Sequence, residues 1–151
     1  MIQMVKTSVN DSDAQPIRMP YVDLVSNGKP LMEFVSHQTG NSTTAISSTF
    51  GETDRYSSAF FRILTTEPTD YFRQIGFAYL GFDERPMGFY DVIVYDNNDS
   101  STNLDPTGLT VLWRGLGNLT AKQTGTHKFP AVEYTEYDTN DADTESVYIT
   151  F

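Results

Sequence analysis

Gly88-Phe89-Tyr90-Asp91-Val92-Ile93-Val94-Tyr95, followed by Asp96-Asn97-Asn98-Asp99, is the stretch on which the fold turns. Apart from Asp91, every residue from Phe89 to Tyr95 is aromatic or β-branched, the types that sit best on a pleated, half-buried surface. The glycine in front and the Asx run behind are turn formers, so the segment is a bounded strand. Working outward, a polar loop runs to Gly108, after which Leu109, Val111 and Trp113 alternate with Thr110, Leu112 and Arg114 before Gly115. Leu116–Thr120 is a shorter candidate, and Ala121–Lys128 reads as loop. Ala131–Tyr137 pairs naturally with Ser146–Phe151 across an acidic loop. Val147, Ile149 and Phe151 alternate up to the last residue, so the end of the chain is expected to be tucked into a sheet or packed on a partner.

Towards the N-terminus the same pattern repeats. Tyr71–Leu80 places Tyr71, Ile75, Phe77 and Tyr79 on one strand face, after a break at Glu67-Pro68-Thr69-Asp70. In Ser57–Thr65, Ala59, Phe61 and Ile63 alternate with Phe60, Arg62 and Leu64, a strand with two largely apolar faces that belongs inside a sandwich or under a neighbour. Thr44–Phe50 and Leu31–Ser36 are further candidates, the latter joined to Tyr21–Val25 through Asn27-Gly28, a strong tight-turn dipeptide. No segment carries an i, i+3, i+4, i+7 stripe. The expectation is an all-β fold, a β-sandwich or barrel of about eight to ten antiparallel strands. Phe60, Phe61, Phe72 and Trp113 are the expected core anchors, with an interface as the alternative place for some of them.

Residues 1–20 read as an extended N-terminal arm ahead of a domain over 21–151. Met1–Val5 is mildly apolar, Asn10-Asp11-Ser12-Asp13 is polar, and Pro16 and Pro20 punctuate the rest. Such an arm is either a frayed terminus or a strap lying on a neighbouring subunit. In the second case Met1, Ile2, Met4, Val5, Ile17 and Met19 are its interface residues, together with Tyr134, Tyr137 and Phe151 at the other end of the chain.

Composition narrows the function. The 151 residues are 38% hydrophobic and 13% aromatic, enough for a core without staples, and there are 0 Cys to build disulfides or thiolate metal sites. Ten Lys+Arg against 20 Asp+Glu give a net charge of -10. A phosphate backbone or an anionic lipid surface is repelled by such a chain, so neither nucleic acid nor membrane is an expected partner. No apolar run approaches the length of a bilayer span, and the first residues lack the apolar stretch of a signal peptide.

Catalytic patterns are sparse. The two histidines, His37 and His127, both lie in polar loop contexts, and no zinc, nucleophile-elbow or phosphate-loop motif occurs. The chain is expected not to be an enzyme and to need no cofactor. Asp138, Asp141, Asp143 and Glu145, with Asn140 among them, are weak Ca²⁺ candidates, since alternate carboxylates can converge on a hard cation. The glycine and bidentate glutamate of an EF-hand loop are missing, however. Asp96-Asn97-Asn98-Asp99 is a second oxygen-rich loop. Both are equally solvated turns whose side chains cap their own backbone. Asn-X-Ser/Thr sequons at Asn10, Asn41, Asn98 and Asn118 fit a surface rich in these residues. Tyr134, Tyr137 and Tyr148 are either cross-strand pairs or a contact surface for carbohydrate or protein.

Gly88–Tyr95 with the polar Asp96–Asn103, then Leu104-Asp105-Pro106 and Leu109–Gly115, resembles a pattern found in small virion proteins of tailed bacteriophages. Asp54-Arg55-Tyr56 before a strand and the closing Tyr134–Phe151 fit the same pattern, so the resemblance spans roughly residues 54–151 and leaves the N-terminal arm unmatched. It implies a capsid decoration or cement protein, bound to the major capsid protein and to copies of itself. Such a protein is made in the host cytoplasm and carried on the capsid surface of the virion. A glycan- or receptor-binding module on a tail or fibre, or a head-tail connector or tail adaptor, is the alternative. No catalytic residues come with it.

Overall fold

The strand at the centre of the sequence reading exists as Gly88–Asp96 and lies in the middle of the larger of two sheets. The structure, a computed structural model, describes residues 1–6, 13–22, 29–64, 66–82, 84–98 and 100–121. In chain order these residues form β1 (Ile2–Lys6), β2 (Gln15–Pro20), β3 (Leu31–Ser36), β4 (Ser42–Ile46), β5 (Phe50–Glu52) and β6 (Tyr56–Leu64). The helix α1 (Asp70–Gln74) follows, then β7 (Phe77–Tyr79), β8 (Gly88–Asp96) and β9 (Thr110–Ala121). One sheet has the order β1-β9-β8-β3-β4. The other runs β2-β6-β5, with β7 also paired to β6. The Asn27-Gly28 turn and the strands expected over 131–137 and 146–151 lie outside the described residues.

The two sheets share one core. Tyr90, Val92 and Val94 of β8 face inward with Met32 and Phe34 of β3 and Leu119 of β9. From the second sheet come Ile17 and Met19 of β2 and Ala59, Phe61 and Ile63 of β6. Phe34 and Phe61 meet between the layers with ring centroids 5.1 Å apart. Each is fully buried, which stabilises the fold by about 1.5–3 kcal/mol per side chain. The opposite face of β8 is covered as well: Ile93 and Tyr95 pack with Leu31 and Ile46 beneath Leu104 and Leu109. The all-β expectation therefore holds, and the architecture is two sheets face to face.

Several details differ from the sequence reading. Not all pairings are antiparallel: β1 runs parallel to β9, and β7 runs parallel to β6. The described part of residues 1–20 does not stand apart as an arm. β1 and β2 are members of the two sheets, and Met4, Ile17 and Met19 are 0–2% exposed, so they are core rather than interface. Among the described residues β2 is an edge strand paired with β6 alone, the place where Pro16 and Pro20, which lack an N–H, are tolerated.

Tyr71–Leu80 begins as helix: Asp70 stands in its first turn and Arg73 in its last, both favourable to the helix dipole. Gly76, with φ +99°, then turns the chain so that only Phe77–Tyr79 is strand. Phe72 is consequently 40% exposed and not a core anchor, while Phe61 is buried and Phe60 and Trp113 are half-buried. Gly115 is not a turn either. β9 runs straight through it, because the Trp113 ring lies where a Cβ at position 115 would stand.

Candidate functional site

A two-layer sandwich has two open flanks, and here they are finished differently. On the β4 flank the chain passes from one sheet to the other. After β4, Ser48 N–H donates to the Phe60 carbonyl at 2.8 Å and Phe60 N–H to the Thr49 carbonyl at 3.0 Å, so Ser47–Thr49 is stitched to β6 before β5 begins. The outward carbonyls of β4 are taken by guanidinium groups, Arg85 Nε donating to Ser42 at 3.0 Å and Arg73 Nε to Thr44 at 2.9 Å. Charged donors occupy two of the carbonyls that another strand would need on this edge.

Among the described residues, side-chain hydrogen bonds tie the β1/β2 flank at Val5. The Gln15 carboxamide at the start of β2 accepts from Val5 N–H at 2.8 Å and donates to the Val5 carbonyl at 2.6 Å, imitating a further strand. Beyond this clamp the sheets part around a groove of about 570 Å³. Met1 and Gln3 form one lip, Pro16 and Arg18 the other, and Trp113 and Leu116 of β9 line its inner end. β1 pairs with Gly117–Ala121 only, so the remaining length of β9, Thr110–Leu116, has β8 on one side and no strand on the other among the described residues. Met1 (72%), Val111 (43%) and Leu116 (39%) are large apolar side chains left exposed along this edge.

Other clusters are structural in character. His37 Nε2 and Asp91 Oδ1 are 2.8 Å apart on the open face of the larger sheet, both about half exposed, with the Phe89 ring beside them. The oxygen-rich segment after β8 folds on itself. Asp96 accepts from Asn98 N–H, Asn97 Nδ2 donates to the Asn103 carbonyl at 3.1 Å, and Asn103 Nδ2 returns a bond to Asn97 Oδ1 at 3.0 Å. The Asp105 carboxyl is held below its ordinary pKa by the backbone N–H and hydroxyl of Thr107. No cluster of three or more metal-ligating side chains occurs among the described residues. Tyr95 donates to Glu33 at 2.8 Å, and burial together with that carboxylate raises its phenol to about 12. Burial raises Tyr90 to about 12 as well, its hydroxyl being 2.6 Å from the Pro86 carbonyl. Lys6 lies over the Phe82 ring at 3.3 Å and donates to the Gly81 carbonyl; burial lowers its pKa.

Of the interface residues expected from sequence, Met1 and Ile2 line the groove and Val5 is the clamped residue. Met4, Ile17 and Met19 are interior. Tyr134, Tyr137 and Phe151, and the Ca²⁺ candidates Asp138, Asp141, Asp143 and Glu145, lie outside the described residues. Sequence reading named Trp113 and missed the Arg18 and Leu116 contributions. The available signals were the prolines two positions either side of Arg18, which mark an edge, and the glycine beside a tryptophan. Among the described residues no helix is long and apolar enough to cross a membrane. No family model, curated protein or solved structure matches the chain.

Proposed function

We propose that the chain is a non-enzymatic structural protein of a tailed-bacteriophage particle, a head decoration or cement protein that binds the major capsid protein lattice and neighbouring copies of itself. The observation that carries this is the asymmetry of its flanks. One is sealed by Arg73 and Arg85, and the other leaves Met1, Val111 and Leu116 exposed beside a strand edge with no partner among the described residues. Lateral addition to a lattice needs such a one-sided surface, whereas a freely diffusing domain is better served by closing both. The net charge of -10 keeps such a part away from packaged nucleic acid. Mass spectrometry of purified particles is expected to find the chain in many copies. Its absence from particles would sink the proposal.

A second reading, a glycan-binding module, draws on an open depression of about 430 Å³ lined by Tyr21, Glu52, Thr53 and Asp54. An aromatic ring beside carboxylates and a hydroxyl is the usual chemistry for a sugar. Glycan-array binding that Tyr21→Ala abolishes would favour it over the lattice role.

A further inference from the structure

We infer that the Thr110–Leu116 edge of β9 receives an extended peptide strand from a partner protein, apolar where it faces Trp113 and carrying a carboxylate that pairs with Arg18. This rests on the assembly role proposed above and names the surface through which it acts.

Among the described residues, the larger sheet lacks a strand beside Thr110–Leu116. β9 has 12 residues, of which β1 engages the five from Gly117 to Ala121. Seven residues remain, spanning about 23 Å at strand rise, a length over which main-chain hydrogen bonds supply affinity and side-chain pockets set the register. β1 runs parallel to β9 and starts beside Gly117. An incoming strand beside Thr110–Leu116 would lie end to end with β1, and alternate side chains would drop into the groove between the sheets. There they meet the Trp113 ring, which is half-buried because it lies folded over Gly115. The pocket is thus bounded by backbone and by a rigid aromatic, the combination that anchors a bound strand.

Charge selects the occupant. In a chain with 20 Asp+Glu and 10 Lys+Arg, the lining of this groove holds no carboxylate and one guanidinium, Arg18. Arg18 stands 5.4 Å from the Tyr56 ring, and no carboxylate is bonded to it among the described residues. An acidic residue on the incoming strand finds there a donor fork suited to bidentate pairing. A basic strand meets repulsion at the same point.

Trp113 is the single tryptophan of the chain, so its emission reports on the groove directly. A displayed library of random dodecapeptides selected on the immobilised full-length protein is expected to yield Trp-free sequences with alternating apolar residues and at least one Asp or Glu. Their synthetic forms are expected to shift Trp113 emission saturably and to slow amide exchange at Val111–Leu116 at least tenfold. Arg18→Glu, an exposed substitution, is expected to weaken them tenfold or more. The inference is overturned if no such family emerges, or if selected peptides leave both Trp113 emission and these amides unchanged. It is overturned equally if the Thr110–Leu116 amides are already protected in the free protein. Protection that is independent of concentration would mean that the chain's own residues fill the edge, and protection that grows with concentration that a second copy does. Peptide binding by a chain absent from particles overturns the assembly role alone; presence in particles without peptide binding overturns the strand slot alone.

Discussion

Along β4 the carbonyls of Ser42 and Thr44 are occupied by Arg85 and Arg73, and the strand hands over to the second sheet at Ser47–Thr49. Along β9, by contrast, Gln15 closes the flank at Val5 and nothing described covers Thr110–Leu116. Both edges belong to one sheet and rest on one core, so the difference does not come from burial. It comes from which side chains reach the edge. Two arginines and a short helix were placed against β4, whereas β9 is bordered by glycines, a folded-back tryptophan and the apolar Leu116. An unsealed edge can accept another strand, so among the described residues the two flanks differ in what they offer a neighbour.

The comparison breaks first if the edges do not share one core. Phe61→Ala removes a fully buried ring that packs on Phe34 between the sheets. It is expected to lower unfolding free energy by about 3–5 kcal/mol, with exchange protection falling at β4 and β9 together. Survival of β4 protection alone would show two independent halves. Next in size, Gly115→Val pushes a side chain into the Trp113 ring. A loss of about 1–3 kcal/mol is expected, with Trp113 emission moving to the red. Gly51→Ala, where a Cβ meets nothing within 4 Å, is expected to leave both unchanged.

On the sealed side, Arg73→Ala strips a charged donor from the Thr44 carbonyl. Urea titration is expected to show a loss of about 1–3 kcal/mol, and sedimentation an increase in self-association through the opened β4. A monomer as stable as the parent would mean that the guanidinium is not what seals the edge. Gln15→Ala removes both hydrogen bonds to Val5 and is expected to remove about 1–2 kcal/mol. It should also speed exchange of the Val5 amide and extend the open edge along β1.

One effect appears only in alkali. Tyr90 and Tyr95, raised from 10.0 to about 12, favour the neutral phenol in the folded state. Their contribution to stability is complete below pH 10 and is lost as pH rises through about 12. Urea midpoints are expected to be flat up to pH 10 and to fall between pH 10 and 12. Tyr95→Phe should flatten part of that fall.

Much of the fold is legible in local pattern. Phe89–Tyr95, Leu31–Ser36 and Ser57–Leu64 declare themselves as strands through β-branched and aromatic residues between turn formers, and the structure carries them as β8, β3 and β6. Where the pattern misleads, a neighbour distant in sequence decides. Ile17-Arg18-Met19 between two prolines is punctuated like an arm, yet it is an edge strand because β6 lies beside it. Gly115 and Gly117 signal a turn in isolation, but they are the room left for the Trp113 ring and for Met4 and Val92. Tyr71 to Leu80 alternates like a strand, yet Asp70–Gln74 coils because its Arg73 is held by β4.

By itself, then, the sequence determined the class of the molecule: an acidic, cysteine-free, all-β chain poor in catalytic groups. Side-chain period and turn chemistry are local properties, and charge is a sum. Only the tertiary structure decided which strands became edges, which edge Arg73 and Arg85 seal, and which was left open beside Trp113 and Arg18. Those outcomes depend on pairings between residues as far apart as Ile2 and Gly117, and no local pattern encodes them.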